Sequence, residues 1–173
     1  GLLVDANNAY QSATALKVGE RLKDSDILLF EEPVMADDIP GLSRIRQALS
    51  IPVATGEHEY TKYGARELLA NQAVDVVQVD ATRCGGVTEW MKIAGLTQAW
   101  NLALAPHSME YVHMHLLAAV PNGLFLERLD ILQPLNERVF LDAPTPENGV
   151  LSLPEAPGLG VTLNETALEQ YGY

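Results

Sequence analysis

Six ionisable residues each stand directly after a short apolar run. Asp5 follows Leu2-Leu3-Val4, Glu31 follows Ile27-Leu28-Leu29-Phe30, and Glu57 follows Pro52-Val53-Ala54-Thr55-Gly56. Asp80 follows Val76-Val77-Gln78-Val79, His107 follows Leu102-Ala103-Leu104-Ala105-Pro106, and Glu127 follows Leu124-Phe125-Leu126. The six recur at intervals of 20 to 27 residues. Three carboxylates brought to one place cannot all stay ionised unless a cation neutralises them. Hard oxygen donors without cysteine or histidine among them favour Mg²⁺, with Mn²⁺ or Ca²⁺ as alternatives. One such carboxylate is more simply the cap of the following helix; three in register, Asp5, Glu31 and Glu57, favour a metal. A carboxylate beside an imidazole fixes its tautomer and raises its basicity, so Asp80 and His107 read as a general acid/base pair. Alone, His107 reads as a structural loop histidine. Glu127 serves a developing oxyanion if its pKa is raised enough to hold a proton, and an ion pair with Arg128 is the competing reading.

The elements that must carry these residues follow from the same runs. Four or five apolar residues bounded by turn signals read as strands buried on both faces. Helical segments lie between them: one that Ser12 caps, with Leu16, Val18 and Leu22 inward, then Ile39 to Leu49, Ala65 to Leu69, Val87 to Trp100, and Val112 to Ala119. Trp90, Ile93, Ala94 and Thr97 share one face of the fourth. Strand and helix alternating at this period make parallel β/α units, used by open doubly wound sheets and by (β/α)₈ barrels. The doubly wound fold wants a G-x-G-x-x-G loop after an early strand, and Gly85-Gly86 is only a pair. In a barrel every strand tip converges on one mouth, which accounts for an ionisable residue at each. The expected fold is therefore α/β, the later part of a TIM-type (β/α) barrel. Residues 1–132 carry the units, and residues 133–173, rich in proline, form a tail without a further unit.

Composition narrows the partners. Eleven Lys and Arg against 23 Asp and Glu leave a net charge of −12, which repels phosphate backbones and argues against nucleic acid. No apolar run approaches the roughly 18 residues of a membrane helix. The single Cys84 rules out an internal disulfide framework and fits a reducing, cytoplasmic setting.

The motifs as a set resemble one family. Val4-Asp5-Ala6-Asn7-Asn8, Glu31-Glu32-Pro33, Thr55-Gly56-Glu57, Asp80 with Arg83-Cys84-Gly85-Gly86-Val87-Thr88-Glu89, Pro106-His107 and Leu126-Glu127-Arg128-Leu129-Asp130 look like the mandelate racemase branch of the enolase superfamily. Gly56-Glu57-His58-Glu59-Tyr60 is similar to segments of acid-sugar dehydratases in that branch, the rhamnonate dehydratases among them. The resemblance implies Mg²⁺ held by Asp5, Glu31 and Glu57, with Glu32 behind the ligands. It implies an Asp80–His107 dyad, Glu127 on the substrate carboxylate, and substrate contacts from Asn7 and His58. The implied chemistry is removal of the proton α to a carboxylate through an enediolate.

The family's Lys-x-Lys pair on the second barrel strand has no counterpart here, nor does its amino-terminal capping domain. The resemblance thus covers the third to eighth barrel strands, and the tail is expected to return toward the capping domain. On this reading the missing amino-terminal half is a partner, the assembled enzyme is a homo-oligomer, and this chain alone is inactive. The expected reaction is dehydration of a sugar acid to a 2-keto-3-deoxy acid. The alternatives are a racemase or epimerase of a 2-hydroxy acid, a cycloisomerase as a weaker one, and an inactive fragment.

Overall fold

The computed structural model describes residues 1–171. Five β/α units follow one another: β1 (Leu2–Asp5), α1 (Ser12–Leu22), β2 (Ile27–Glu31), α2 (Ile39–Ala48), β3 (Val53–Thr55), α3 (Lys62–Ala70), β4 (Val76–Val77), α4 (Val87–Ala99), β5 (Ala103–Leu104) and α5 (Glu110–Ala118). All four strand pairings are parallel, and the sheet order is β1-β2-β3-β4-β5. A doubly wound sheet reverses its order partway; a strictly sequential one is the arrangement of a barrel wall.

Period-two alternation divides the strands between two cores. Phe30, Val53, Val77 and Leu104 join the helices in the large cluster, which includes Leu42, Ile45, Leu68, Trp90 and Ile93. Leu29, Ala54, Val76 and Ala105 form a smaller cluster on the other side, with Phe125 against it and no helical residue in it. Helices therefore cover one face, as on the outside of a barrel.

Local chemistry sets the helix limits. Asp38 caps α2 by accepting from the Gly41 N–H at 3.0 Å, with Pro40 in the first turn. Thr61 caps α3 by accepting from the Tyr63 N–H. Ser12, expected as a cap, lies inside α1: extended Gln11 holds the cap position, and the Ser12 hydroxyl donates to Asp38 at 3.2 Å. In α4 the buried residues are Trp90, Ile93, Ala94 and Thr97, as the sequence spacing predicts.

The run Leu124-Phe125-Leu126, expected as a sixth strand, does not form one. A single parallel bridge joins Leu104 to Gly123, with the Leu104 N–H donating to Asn122 O and the Leu124 N–H to Leu104 O. The next bond of the ladder needs an N–H at position 106, and Pro106 has none. Pairing stops there.

Beyond it lie a 3-10 helix (Asp130–Leu132), α6 (Gln133–Val139), and a two-stranded antiparallel sheet of β6 (Phe140–Leu141) and β7 (Thr162–Leu163), then α7 (Glu165–Tyr171). This part adds nothing to the parallel sheet. It leans on α5 through an edge-to-face contact of Tyr111 with Phe140 at 5.1 Å, and through a hydrogen bond between His115 Nε2 and Leu159 O at 2.9 Å. Among the described residues no helix is long and apolar enough to cross a membrane.

Candidate active site

The inner cluster fixes what stands at the carboxyl ends of the strands. Two residues past Leu29 is Glu31, two past Val76 is Gln78 with Asp80 two further, and two past Ala105 is His107. Asp5 pairs with Glu31 in the β1–β2 register. Glu57 lies three past Ala54, because Gly56 breaks the alternation with φ 144°; a Cβ there would come within 2.9 Å of the Gln78 backbone nitrogen. Alternation plus one glycine turn thus aims five side chains from five strand ends at one mouth. A cleft of about 280 Å³ there is lined by Leu3, Asp5, Glu31, Gln78, Phe125, Leu126 and Glu127.

The carboxylates press on one another. Burial, and then the charges of Glu127, Asp5 and Glu57, raise the Glu31 carboxyl to about 7, against an opposing hydrogen bond from Gln78. Glu32 is likewise raised to about 7 by burial and by Glu57, Asp5 and Glu31. Only 1% exposed, Glu32 sits at φ 39°, a left-handed conformation that costs a non-glycine residue about 1–3 kcal/mol. Its Oε2 accepts from Asn8, while its Oε1 is buried without a hydrogen bond. Asn7 accompanies Asp5: its N–H donates to Asp5 Oδ1 at 2.7 Å.

Three atoms draw closest together at the edge of this cluster. His58 Nε2 is 3.5 Å from Glu32 Oε1 and 3.7 Å from Glu57 Oε1. Among the described residues, Glu32, Glu57 and His58 are the one trio whose potential ligand atoms lie within 4.8 Å of one another. Asp5 and Glu31, the other two expected ligands, are adjacent to this trio but not in it. Glu57 is pulled toward Arg83, whose Nη1 donates to Glu57 Oε1 at 3.0 Å.

Asp80 and His107 meet as a bonded pair, His107 Nδ1 to Asp80 Oδ2 at 3.0 Å. The other Asp80 oxygen accepts from the Thr82 N–H at 2.7 Å and from its hydroxyl at 2.8 Å. Burial pushes the Asp80 carboxyl up, but the bonds from His107 and Thr82 outweigh it and leave it below its ordinary value. Burial works against a charged His107; Asp80, Glu57 and Glu127 outweigh that and raise it. With Nδ1 on Asp80, His107 Nε2 is turned to the mouth, 3.5 Å from Glu57 Oε2.

Glu127 accepts from the Ser108 N–H at 2.6 Å, and burial holds its carboxyl above the ordinary range. It does not pair with Arg128, which turns to Asp130, Gln133 and buried Glu110. Sequence reasoning missed Arg83 as a partner of Glu57 and missed His113 altogether. Arg83 stands in the turn that follows Asp80, outside any helix, and nothing in its spacing points to Glu57. His113 lies within α5 with no pattern to mark it.

These features define a parallel β/α barrel wall whose mouth carries a carboxylate cluster beside an Asp–His pair. Residues 1–167 match the family model described as enolase C-terminal domain-like, and the chain belongs to that family. Arabinonate dehydratase of Saccharolobus solfataricus is 33% identical over 98% of this chain and 47% of its own length. L-talarate/galactarate dehydratase of Salmonella typhimurium is 37% identical over 96% of this chain and 41% of its own length. D-galactarolactone cycloisomerase of Agrobacterium fabrum is 30% identical over 98% and 48%. The crystal structure of L-talarate dehydratase from Polaromonas sp. JS666, complexed with Mg and L-glucarate, superimposes with a TM-score of 0.88 at 32% identity, over 97% of this chain and 46% of that one. The chain thus spans less than half the length of these relatives.

Proposed function

We propose that this chain is the carboxyl-terminal catalytic part of a Mg²⁺-dependent enzyme that dehydrates a sugar acid to a 2-keto-3-deoxy acid. The observation that carries the reading is the 3.0 Å Asp80–His107 bond, which leaves His107 Nε2 facing the carboxylate cluster. The dehydratases among the relatives support the substrate class.

The donor set fits Mg²⁺. Asp5, Glu31 and Glu57 offer hard oxygens, and the burial and neighbouring charges that raise Glu31 are offset by a divalent cation. Bound there, Mg²⁺ supplies a Lewis acid that polarises the substrate carboxylate. The protein's own residues do the rest. His107 Nε2, made basic by Asp80, takes the proton α to the carboxylate. The same imidazolium then returns a proton to the departing hydroxyl, so that one group serves both halves of the elimination. Glu127, held at the mouth by the Ser108 N–H, donates a hydrogen bond to the enediolate oxygen when it carries a proton, a form that burial favours. Asn7 and His58 border the cluster on the strand-tip loops and contact substrate hydroxyls, and Glu32 braces the ligands from behind.

The β1 edge supports a further part of the reading. Among the described residues no strand pairs with its outer side, and Leu2, Leu3 and Leu28 are 56%, 40% and 48% exposed. Covering them falls to the polypeptide that completes the barrel and caps the mouth, toward which the segment 133–173 returns. The enzyme so completed is a cytoplasmic homo-oligomer, and these residues alone are inactive.

The test is a panel of aldonic and aldaric acids offered to the complete enzyme with Mg²⁺, read by trapping the 2-oxo product and by following deuterium at the α-carbon. Formation of a 2-oxo acid is expected. Deuterium uptake without it means racemisation or epimerisation instead, and no exchange with any acid removes the reading.

A further inference from the structure

His113 is a fully buried titratable side chain outside the proposed reaction, at 0% exposure. It sits in α5, yet its ring touches two different strand-end turns. Nδ1 is 2.6 Å from the carbonyl oxygen of Ser108, and Nε2 is 2.8 Å from the backbone nitrogen of Ala81. A carbonyl can only accept and an amide N–H can only donate. The ring is therefore neutral, with its proton on Nδ1 and its lone pair on Nε2. Burial, which holds its pKa down, agrees with a neutral ring.

The two backbone groups belong to the neighbours of the dyad. Ala81 follows Asp80, and Ser108 follows His107. Ser108 is tied twice: its N–H donates to Glu127 Oε2 and its C=O accepts from His113. Ser108 and Met109 hold left-handed φ values of 48° and 44°, which non-glycine residues keep only when their surroundings fix them. On the Asp80 side, the Trp90 indole of α4 donates to Val79 O at 3.0 Å and lies 6.5 Å from the His113 ring. Helices α4 and α5 thus each reach under the Val79–Ala81 turn.

We infer that His113 is a positioning residue: it clamps the Asp80 turn to the His107 turn and thereby sets the 3.0 Å contact between the two side chains. The inference rests on the proposed reaction for its kinetic part only. Hydrogen-bonded partners behind reacting groups change rates about 10- to 100-fold when removed.

The experiment uses the complete enzyme and three variants. His113→Leu removes both arms of the clamp, His113→Asn keeps a donor for Ser108 O, and His113→Gln keeps an acceptor for the Ala81 N–H. The first readout needs no substrate: the NMR resonance of the His107 Nδ1 proton, which lies far downfield while it is held by Asp80. It should move upfield and exchange faster with solvent in H113L, and to an intermediate degree in H113N and H113Q. The second is kinetic: kcat should fall about 10- to 100-fold in H113L with KM changed less than about two-fold, and partly recover in the polar variants.

In the unsubstituted protein, ¹⁵N shifts should report a neutral His113 protonated on Nδ1. The opposite tautomer or an imidazolium overturns the inference, as does an unchanged His107 resonance in folded H113L. Should H113L not fold, an unchanged resonance in both H113N and H113Q overturns it. An altered resonance in an enzyme that turns over no sugar acid leaves the clamp standing and removes the functional reading.

Discussion

Arg83 holds Glu57 at two points, with Nη1 3.0 Å from the Oε1 carboxylate oxygen and 3.3 Å from the Glu57 carbonyl. The same guanidinium places Nε 3.8 Å from Asp80 Oδ2. One cation therefore spans a proposed metal ligand and the partner of the proposed base, and its charge opposes protonation of His107.

Arg83 and Asp80 should accordingly move the acid limb of the pH–rate profile in opposite directions. A base works when unprotonated, so the limb follows the His107 pKa. Arg83→Gln removes a positive charge, stabilises the imidazolium, and shifts the limb to higher pH. Asp80→Asn removes the hydrogen bond that raises His107 and shifts it lower, with kcat reduced about 10²- to 10⁴-fold. Shifts in the same direction in both variants would falsify the assignment of His107 as the base.

Metal binding should separate the two possible donor sets. Titration calorimetry should show Mg²⁺ binding lost in Glu57→Gln and weakened at least tenfold in Asp5→Asn and Glu31→Gln. With Mn²⁺ in its place, pulsed EPR should show no directly bound ¹⁴N. A strong ¹⁴N coupling that disappears in His58→Gln would mean that the ion sits on the Glu32, Glu57 and His58 trio instead.

Without divalent cations, stability should fall as pH rises from about 5 to about 7.5. Glu31 and Glu32 have folded-state values raised from 4.5 to about 7. Between those limits the folded protein holds more protons than the unfolded one, so raising the pH favours unfolding. The loss is on the order of 3 kcal/mol for each carboxyl, read as a drop in Tm in EDTA. Mg²⁺ should restore Tm mainly at the upper end of the window. A Tm in EDTA that is flat or rising there contradicts the raised values of these two carboxyls.

Residues 1–173 expressed alone should associate or bind hydrophobic dyes, because the β1 edge has no partner strand among the described residues and carries exposed Leu2 and Leu3. Co-expression with a polypeptide supplying the preceding strands should give a discrete complex in sedimentation. A monodisperse, cooperatively unfolding monomer would show instead that the open sheet is sufficient.

Much of this architecture is legible in the sequence because burial on both faces leaves a distinctive trace. The runs ending at Asp5, Glu31, Glu57, Asp80 and His107 announce strand tips, and the face of Trp90, Ile93, Ala94 and Thr97 announces α4. The run at Leu124 misleads, since its residues are apolar while strand formation depends on a donor across the gap, and Pro106 lacks one. Ser12 misleads in a similar way: its hydroxyl has a better partner in Asp38, which a linear reading does not bring near. The contacts of Arg83 and His113 are invisible for a related reason. The His113 bond to Ala81 and the Arg83 bonds to Glu57 join different units, and such contacts leave no periodic mark.

The sequential order of the sheet has a consequence for how this protein matures. Each interior strand exchanges hydrogen bonds only with its predecessor and its successor in the chain. Such contacts are short in sequence, so structure can accrete unit by unit as the polypeptide leaves the ribosome. Chemistry does not accrete in the same way. Asp5 belongs to the first unit, His107 to the fifth, and Glu127 to the segment after it. A premature stop after α4 would remove both His107 and Glu127, the proposed base and oxyanion partner, while leaving four of the five β/α units in place.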